Sequence, residues 1–198
     1  MVERIDPAGR RTELARLPGD RAADTPVRCA GDRAPPCMLM EITGADVRWV
    51  EIDPVAGARG RVLHSRGLGD RAQRDAALSA DGKTLAIVEG TPEVIVVDPA
   101  AGTARSYPAS GDAALRSVAF GPTGDIWATS DGFRGHRFGV MVFEVRPRTG
   151  EYWMAASRGN LYQLALSAPW RPTVSPDGSQ VAIAVREHHT RIVRVQGL

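Results

Sequence analysis

At 198 residues and 21.2 kDa the chain is long enough for one domain with a substantial core. Its formal net charge of +2, with basic and acidic residues interspersed, argues against a nucleic-acid surface. No apolar run approaches the length of a membrane span, and Met1-Val2-Glu3-Arg4 does not read as a signal peptide. Gly and Pro are abundant and helix-period stretches are nearly absent, which points to an all-β protein with many turns. Lys83 is the only lysine, so the arginine bias reads as that of a GC-rich genome rather than a binding surface.

The chain opens on a strand through Val2-Ile5, an Asp6-Pro7-Ala8-Gly9 turn and a returning strand Thr12-Leu17. Residues 18–36 read as a loop rich in Pro, Gly, Asp and Arg, with Val27-Arg28-Cys29 as a short strand within it. Cys37-Met38-Leu39-Met40-Glu41 and Val47 to Ile52 read as the inner and middle strands of the next unit, and Arg59 to Leu63 as its outer strand. Arg74 to Leu78 then leads into Ala80-Asp81-Gly82-Lys83, where Asp can bond its own backbone and Gly accepts positive φ. Leu85-Ala86-Ile87-Val88 and Val94-Ile95-Val96-Val97 follow. They are too short for helices and apolar on both faces, so each is expected to lie between other sheets. Asp98-Pro99-Ala100-Ala101-Gly102 reverses the chain into a more polar outer strand ending at Tyr107.

Both turns recur. The Asp-Gly type returns around Gly121-Pro122-Thr123-Gly124-Asp125 and Ser175-Pro176-Asp177-Gly178. The proline type starts at Asp6, Asp53, Asp98 and Arg146, about 45 residues apart, the period of a four-stranded propeller blade. The expected architecture is therefore a β-propeller of four-stranded antiparallel blades, four to five of them. Residues 1–17 form a partial blade; residues 18–68, 69–110 and 111–158 form one blade each; and residues 159–198 form an incomplete last blade. The last blade enters through Leu161-Leu166 or Arg171-Val174 and pairs Val181-Val185 with Arg191-Val195. Spare strands at the start and a missing outer strand at the end would let a ring close by pairing its termini. The alternative is a partial propeller whose other blades lie upstream.

Leu78-Ser79-Ala80-Asp81-Gly82-Lys83 and Val174-Ser175-Pro176-Asp177-Gly178-Ser179 resemble the Ser-Pro-Asp-Gly-Lys hairpin of TolB-like, WD40-like propeller repeats, and the resemblance spans most of the chain. Arg28-Cys29-Ala30, Cys37-Met38-Leu39 and Ile52-Asp53-Pro54-Val55 are similar to a bacterial group of multidomain sensors. In that group a C-terminal propeller lies outside the cytoplasm, after a membrane span and a cytoplasmic winged-helix or serine/threonine kinase domain. The resemblance implies a periplasmic or extracytoplasmic sensor module. The upstream domains are lacking here, so neither kinase nor DNA-binding activity is assigned to this chain.

Cys29 and Cys37 are the only cysteines. Eight residues apart across a reversing loop, they could form a disulfide in an oxidising compartment or stay as buried thiols. The resemblance favours the disulfide. Zinc is not expected, for no second Cys or His pair stands at ligand spacing.

The loop Ser130 to Gly139 holds Phe133, Arg134, His136, Arg137 and Phe138. It is a candidate for recognising a protein, peptide or anion at a propeller rim, against the plainer reading of an exposed loop. His188 and His189 read as a solvated turn, since adjacent strand residues face opposite ways. Trp49, Trp127, Trp153 and Trp170 read as packing between blades. The Asp-Gly turns lack the run of acidic ligands a calcium loop needs, and no Gly-x-Ser-x-Gly elbow or evident triad is present. The expected function is thus non-catalytic binding, with no cofactor. A lactonase-like propeller hydrolase with a central metal is the alternative, and a purely structural fragment a third reading.

Overall fold

Two kinds of turn set the architecture, and both work through side chains that replace missing backbone partners. The computed structural model of the protein describes residues 2–5, 8–15, 27–30, 34–56, 58–67, 74–108, 114–130, 141–155, 172–186 and 189–194. All regular structure among them is β. Strands β1 (Val2–Ile5) and β2 (Arg11–Ala15) form a two-stranded hairpin. Next comes a four-stranded sheet of β3 (Arg28–Ala30), β4 (Ala34–Thr43), β5 (Asp46–Ile52) and β6 (Arg59–Gly67). The second such sheet holds β7 (Asp75–Leu78), β8 (Leu85–Val88), β9 (Glu93–Asp98) and β10 (Thr103–Pro108). The third holds β11 (Leu115–Phe120), β12 (Ile126–Ser130), β13 (Met141–Arg146) and β14 (Glu151–Ala155). A three-stranded sheet of β15 (Pro172–Val174), β16 (Gln180–Arg186) and β17 (His189–Arg194) follows. Every sheet is an antiparallel meander whose neighbours in space are neighbours in sequence. Successive sheets meet through their first strands, β3 with β7, β7 with β11 and β11 with β15. The result is an all-β, unclosed partial propeller.

In the turn between β7 and β8, Ser79 Oγ donates to Asp81 Oδ1 at 2.7 Å and accepts from the Thr84 N–H at 2.9 Å. Asp81 Oδ1 also accepts from the Lys83 N–H at 3.1 Å. Gly82 takes φ +68°, as the reversal demands. Ser175, Asp177, Ser179 and Gln180 repeat these contacts between β15 and β16. The turn before β12 has Gly121 in place of the serine, and there the Gly121 N–H closes onto the Asp125 carbonyl at 2.7 Å. The proline turns work through one carboxylate oxygen. Asp98 Oδ1 accepts from the Ala100 and Ala101 N–H groups, and Asp53 Oδ1 from those of Val55 and Ala56. Arg146 cannot do this, so its turn closes on the Arg146 carbonyl through the Gly150 N–H at 2.9 Å.

These bonds favour the ionised carboxylates. Hydrogen bonds from the backbone hold Asp53 below the usual carboxylate range, and the Ser79 hydroxyl does the same for Asp81. Ser175 first, then Ser179, lower Asp177 to about 2. A depressed folded-state value means that the unfolded chain binds the proton more readily. The contribution is therefore complete above the ordinary value of 3.8 and is lost as pH falls from there through about 2. Urea midpoints at pH 5 and pH 2 should fall further apart in the native protein than in Asp177→Asn. Equal separations would show that the turn does not hold the ionised form.

Strand β8 shows why the middle sheets are apolar on both faces. Leu85 and Ile87 join Met38, Val47 and Trp49 of the preceding sheet in one buried cluster. Ala86 and Val88 join Leu115, Val118 and Ile126 of the following sheet in another. Each fully buried side chain of Leu or Ile size contributes roughly 1.5–3 kcal/mol, so these two layers supply the main cohesion between sheets. At the turn end, Gly82 lies directly against Pro36 of β4. Polar β10 is exposed, as expected of an outer strand.

Two expectations are corrected. Cys37 to Glu41 is part of the second strand of its sheet; the first is the three-residue β3, which reads weakly because it carries Arg28 and is so short. The first two strands do not close a ring. They pair with each other from Val2↔Ala15 to Ile5↔Arg11, and β17 is not their hydrogen-bonded neighbour. The two strands satisfy each other, and the sheets that follow them make an open arc rather than a closed circle. Of the two proposed entries to the last blade, Arg171-Val174 holds the strand; Leu161-Leu166 lies outside the described residues.

Candidate functional site

The first strands bring their entry ends together, and charged residues collect there. Asp75, at the start of β7, is nine-tenths buried. Its Oδ2 accepts from the Ser117 hydroxyl at 2.5 Å and from the Val118 N–H at 3.1 Å, both on β11. Its Oδ1 lies 3.4 Å from Nη2 of Arg28 on β3. One carboxylate thus touches three successive sheets. Beside it the backbones also join, for the Gly90 N–H donates to the Leu115 carbonyl and the Leu115 N–H to the Thr91 carbonyl, each at 3.0 Å.

Glu89, which follows β8, is 1% exposed and lies between two guanidinium groups. Arg66 Nη1 approaches it at 2.7 Å and Arg74 Nε at 3.3 Å. Burial of a carboxylate at this depth is tolerable only with such partners, because desolvation costs several kcal/mol per ion. On β6, His64 lies 5.7 Å from the Trp49 ring. Burial first, and then the Arg66 charge, lower its pKa against the opposing pull of Glu89, so the imidazole favours the neutral form. Arg59 grips Glu41 through Nε and Nη2, which raises the arginine further above its usual value.

A cleft lined by Arg28, Arg74, Asp75, Met38, Met40 and Trp49 opens beside this cluster. It encloses about 10 Å³, room for one water molecule and not for an organic substrate. Ser117 and Asp75 form a buried hydroxyl–carboxylate pair, and the hydroxyl is fully buried against the neighbouring sheet. Among the described residues no group of three or more His, Cys, Asp and Glu could hold a metal ion.

Cys29 and Cys37 stand opposite each other in register on β3 and β4 and are joined by a disulfide. Phe133, Arg134, His136 and Arg137 lie outside the described residues, as does His188. The described residues on either side of that loop, Ser130 and Met141, pair with each other, and Ser130 also pairs with Leu115. Ser130, the last described residue before that loop, thus lies beside the Gly90–Leu115 junction. His189 begins β17. Trp49 and Trp127 are buried.

Sequence reasoning missed Asp75, Arg74 and Glu89. A signal was present: Arg74 and Asp75 directly precede Ala76-Ala77-Leu78, and Glu89 directly follows Leu85 to Val88. Charges abutting strands buried on both faces must find partners nearby, on their own or an adjoining sheet.

No protein-family profile matches the chain, and no curated protein matches it in sequence. Solved structures do match its shape. TolB from Acinetobacter baumannii superposes with a TM-score of 0.67 at 15% identity, over 95% of this chain and 44% of that one. A candidate 6-phosphogluconolactonase from Bacteroides uniformis superposes with a TM-score of 0.55, also at 15% identity, over 97% of this chain and 59% of that one. The chain thus spans about half the length of these neighbours, and at this identity the likeness establishes the propeller fold alone.

Proposed function

We propose that the chain is a non-catalytic binding propeller, the sensory or interaction module of a bacterial signalling protein, which takes a protein or peptide at its rim. One observation carries the reading. Among the described residues the charged groups at the sheet junctions engage one another, Arg28 with Asp75 and Arg66 with Glu89 across sheets and Arg74 with Glu89 within one, around a cleft of about 10 Å³, which leaves the rim as the proposed place of recognition. The rim loop with Phe133, Arg134, His136 and Arg137 is the proposed contact. An extracytoplasmic location is supported by the Cys29–Cys37 disulfide, since such bonds persist in oxidising compartments, and by the resemblance to extracytoplasmic propellers. Membrane anchorage would lie in an upstream domain; among the described residues no helix is long and apolar enough to cross a membrane.

The likeness to a candidate lactonase supports a second reading, a metal-dependent hydrolase. Two assays on the full chain separate them. Peptides selected against the protein by display should bind saturably in fluorescence anisotropy. The Arg134→Ala/Arg137→Ala variant should weaken them on the order of tenfold, as loss of charge-assisted contacts implies. Hydrolysis of 6-phosphogluconolactone, with and without added calcium, should match the buffer rate. Saturable, calcium-dependent hydrolysis would overturn the binding reading in favour of the enzyme.

A further inference from the structure

Strand β3 carries different chemistry on its two faces. Cys29 packs on the side of Cys37, Leu39 and Ile52. Ala30, its neighbour, joins the cluster shared with β7 and β8 on the other side, and Arg28 reaches Asp75. The strand is only three residues long, and its pairing with β4 becomes irregular between Cys29 and Ala30. Backbone pairing alone therefore holds β3 weakly. The disulfide fastens it at the last regular pair, one residue from the arginine that contacts the second sheet.

We propose that the Cys29–Cys37 disulfide is a redox-controlled lock on the contact between the first two four-stranded sheets. When it is reduced, β3 leaves its sheet and Arg28 releases Asp75. The inference stands on strand pairing and is independent of what the propeller binds.

A dithiol reductant is the required co-reactant. One of its thiolates attacks Cys29 Sγ, because Cys29 is partly exposed and Cys37 is fully buried. The S–S bond breaks, and Cys37 departs as a thiolate that takes up a proton. The second thiolate of the reductant then displaces Cys29 from the mixed disulfide. Two electrons and two protons pass to the cysteine pair, and the reductant leaves as a disulfide. Asp75 is left with Ser117 and Val118 alone, as a buried carboxylate without its cation.

The Val118 N–H, which donates to Asp75, reports the outcome directly. The full chain would be equilibrated with oxidised or reduced dithiothreitol without denaturant. Thiols would be counted by alkylation and intact mass, and amide exchange followed at residues 76–78, 118 and 94–97. Reduction should expose both thiols and speed exchange at residues 76–78 and 118 by roughly tenfold, the opening expected when a buried charge loses its partner. Residues 94–97 should be unchanged. Arg28→Gln, with the disulfide intact, should reproduce the effect at residue 118, and reduction should then add little there. Unchanged exchange after reduction, a rise shared equally by residues 94–97, thiols appearing only in denaturant, or independent additive effects of Arg28→Gln and reduction would each overturn the lock.

Discussion

Asp75→Ala should lower stability by about 3–5 kcal/mol. The cost comes from what the side chain leaves behind. Without its carboxylate the Val118 N–H and the Ser117 hydroxyl lose their acceptor in a buried interface, and Arg28 keeps a largely buried charge without this counter-ion. Each orphaned group costs roughly 1–3 kcal/mol, more for the cation. For a domain of this size the melting temperature should drop by about 10 °C. Asp75→Asn keeps one acceptor for Ser117 and Val118 but loses the ion pair and turns an NH2 donor toward Arg28, so it should cost less than the alanine variant without being neutral. Urea titration followed by circular dichroism measures both. A loss below about 1 kcal/mol for the alanine variant would mean that the carboxylate does not join the sheets.

Gly82→Ala should cost about 2–4 kcal/mol, against about 1 kcal/mol for Gly124→Ala at the equivalent turn. Both glycines have positive φ, +68° and +85°, so both variants meet the backbone penalty of an L residue there. Their surroundings differ. A Cβ at Gly124 meets nothing within 4 Å, whereas one at Gly82 overlaps Cγ of Pro36 on the neighbouring sheet. The excess at Gly82 therefore measures how closely the turn seats against β4. Pro36→Ala removes the overlapped atom. In the Gly82→Ala background it should recover the steric part and leave the backbone part, a non-additivity that a double-mutant cycle reads directly. Equal costs at Gly82 and Gly124 would contradict the close seating.

These two positions also mark where the sequence was legible and where it was not. The turn at Gly82 could be read because its chemistry is local: Ser79, Asp81 and Thr84 find each other within five residues. The same holds for Asp98 with Ala100 and Ala101. Burial of Leu85 to Val88 on two faces followed from their unbroken apolar run. Asp75 could not be read in this way, since Ser117 and Arg28 are 42 and 47 residues away on two other sheets. Nothing in Arg74-Asp75 names those partners. The short strand around Arg28 and Cys29 is readable, but its place as the first of its sheet is not: three residues with a charge at the front give no periodicity, and the longer Cys37 to Glu41 run reads as the inner strand instead. At Cys29 and Cys37 a spacing of eight left disulfide and thiols both open; only the register of β3 with β4 places the two residues opposite each other. The rim residues from Phe133 to Arg137 were named from composition, and their part in recognition rests on the binding experiment.

Successive sheets are joined at the entry ends of their first strands. The most direct test is residue-resolved amide hydrogen exchange at Gly90, Leu115 and Val118 in the oxidised full chain. Each of these amides donates to an acceptor on the adjacent sheet, so none can be protected by the folding of its own sheet alone. Protection equal to that of Ile87 and Val96, within the central sheet, is the predicted result. Exchange at the rate of exposed turn amides, with Ile87 and Val96 still protected, would contradict it: the sheets would then fold singly, without the junction built around Asp75.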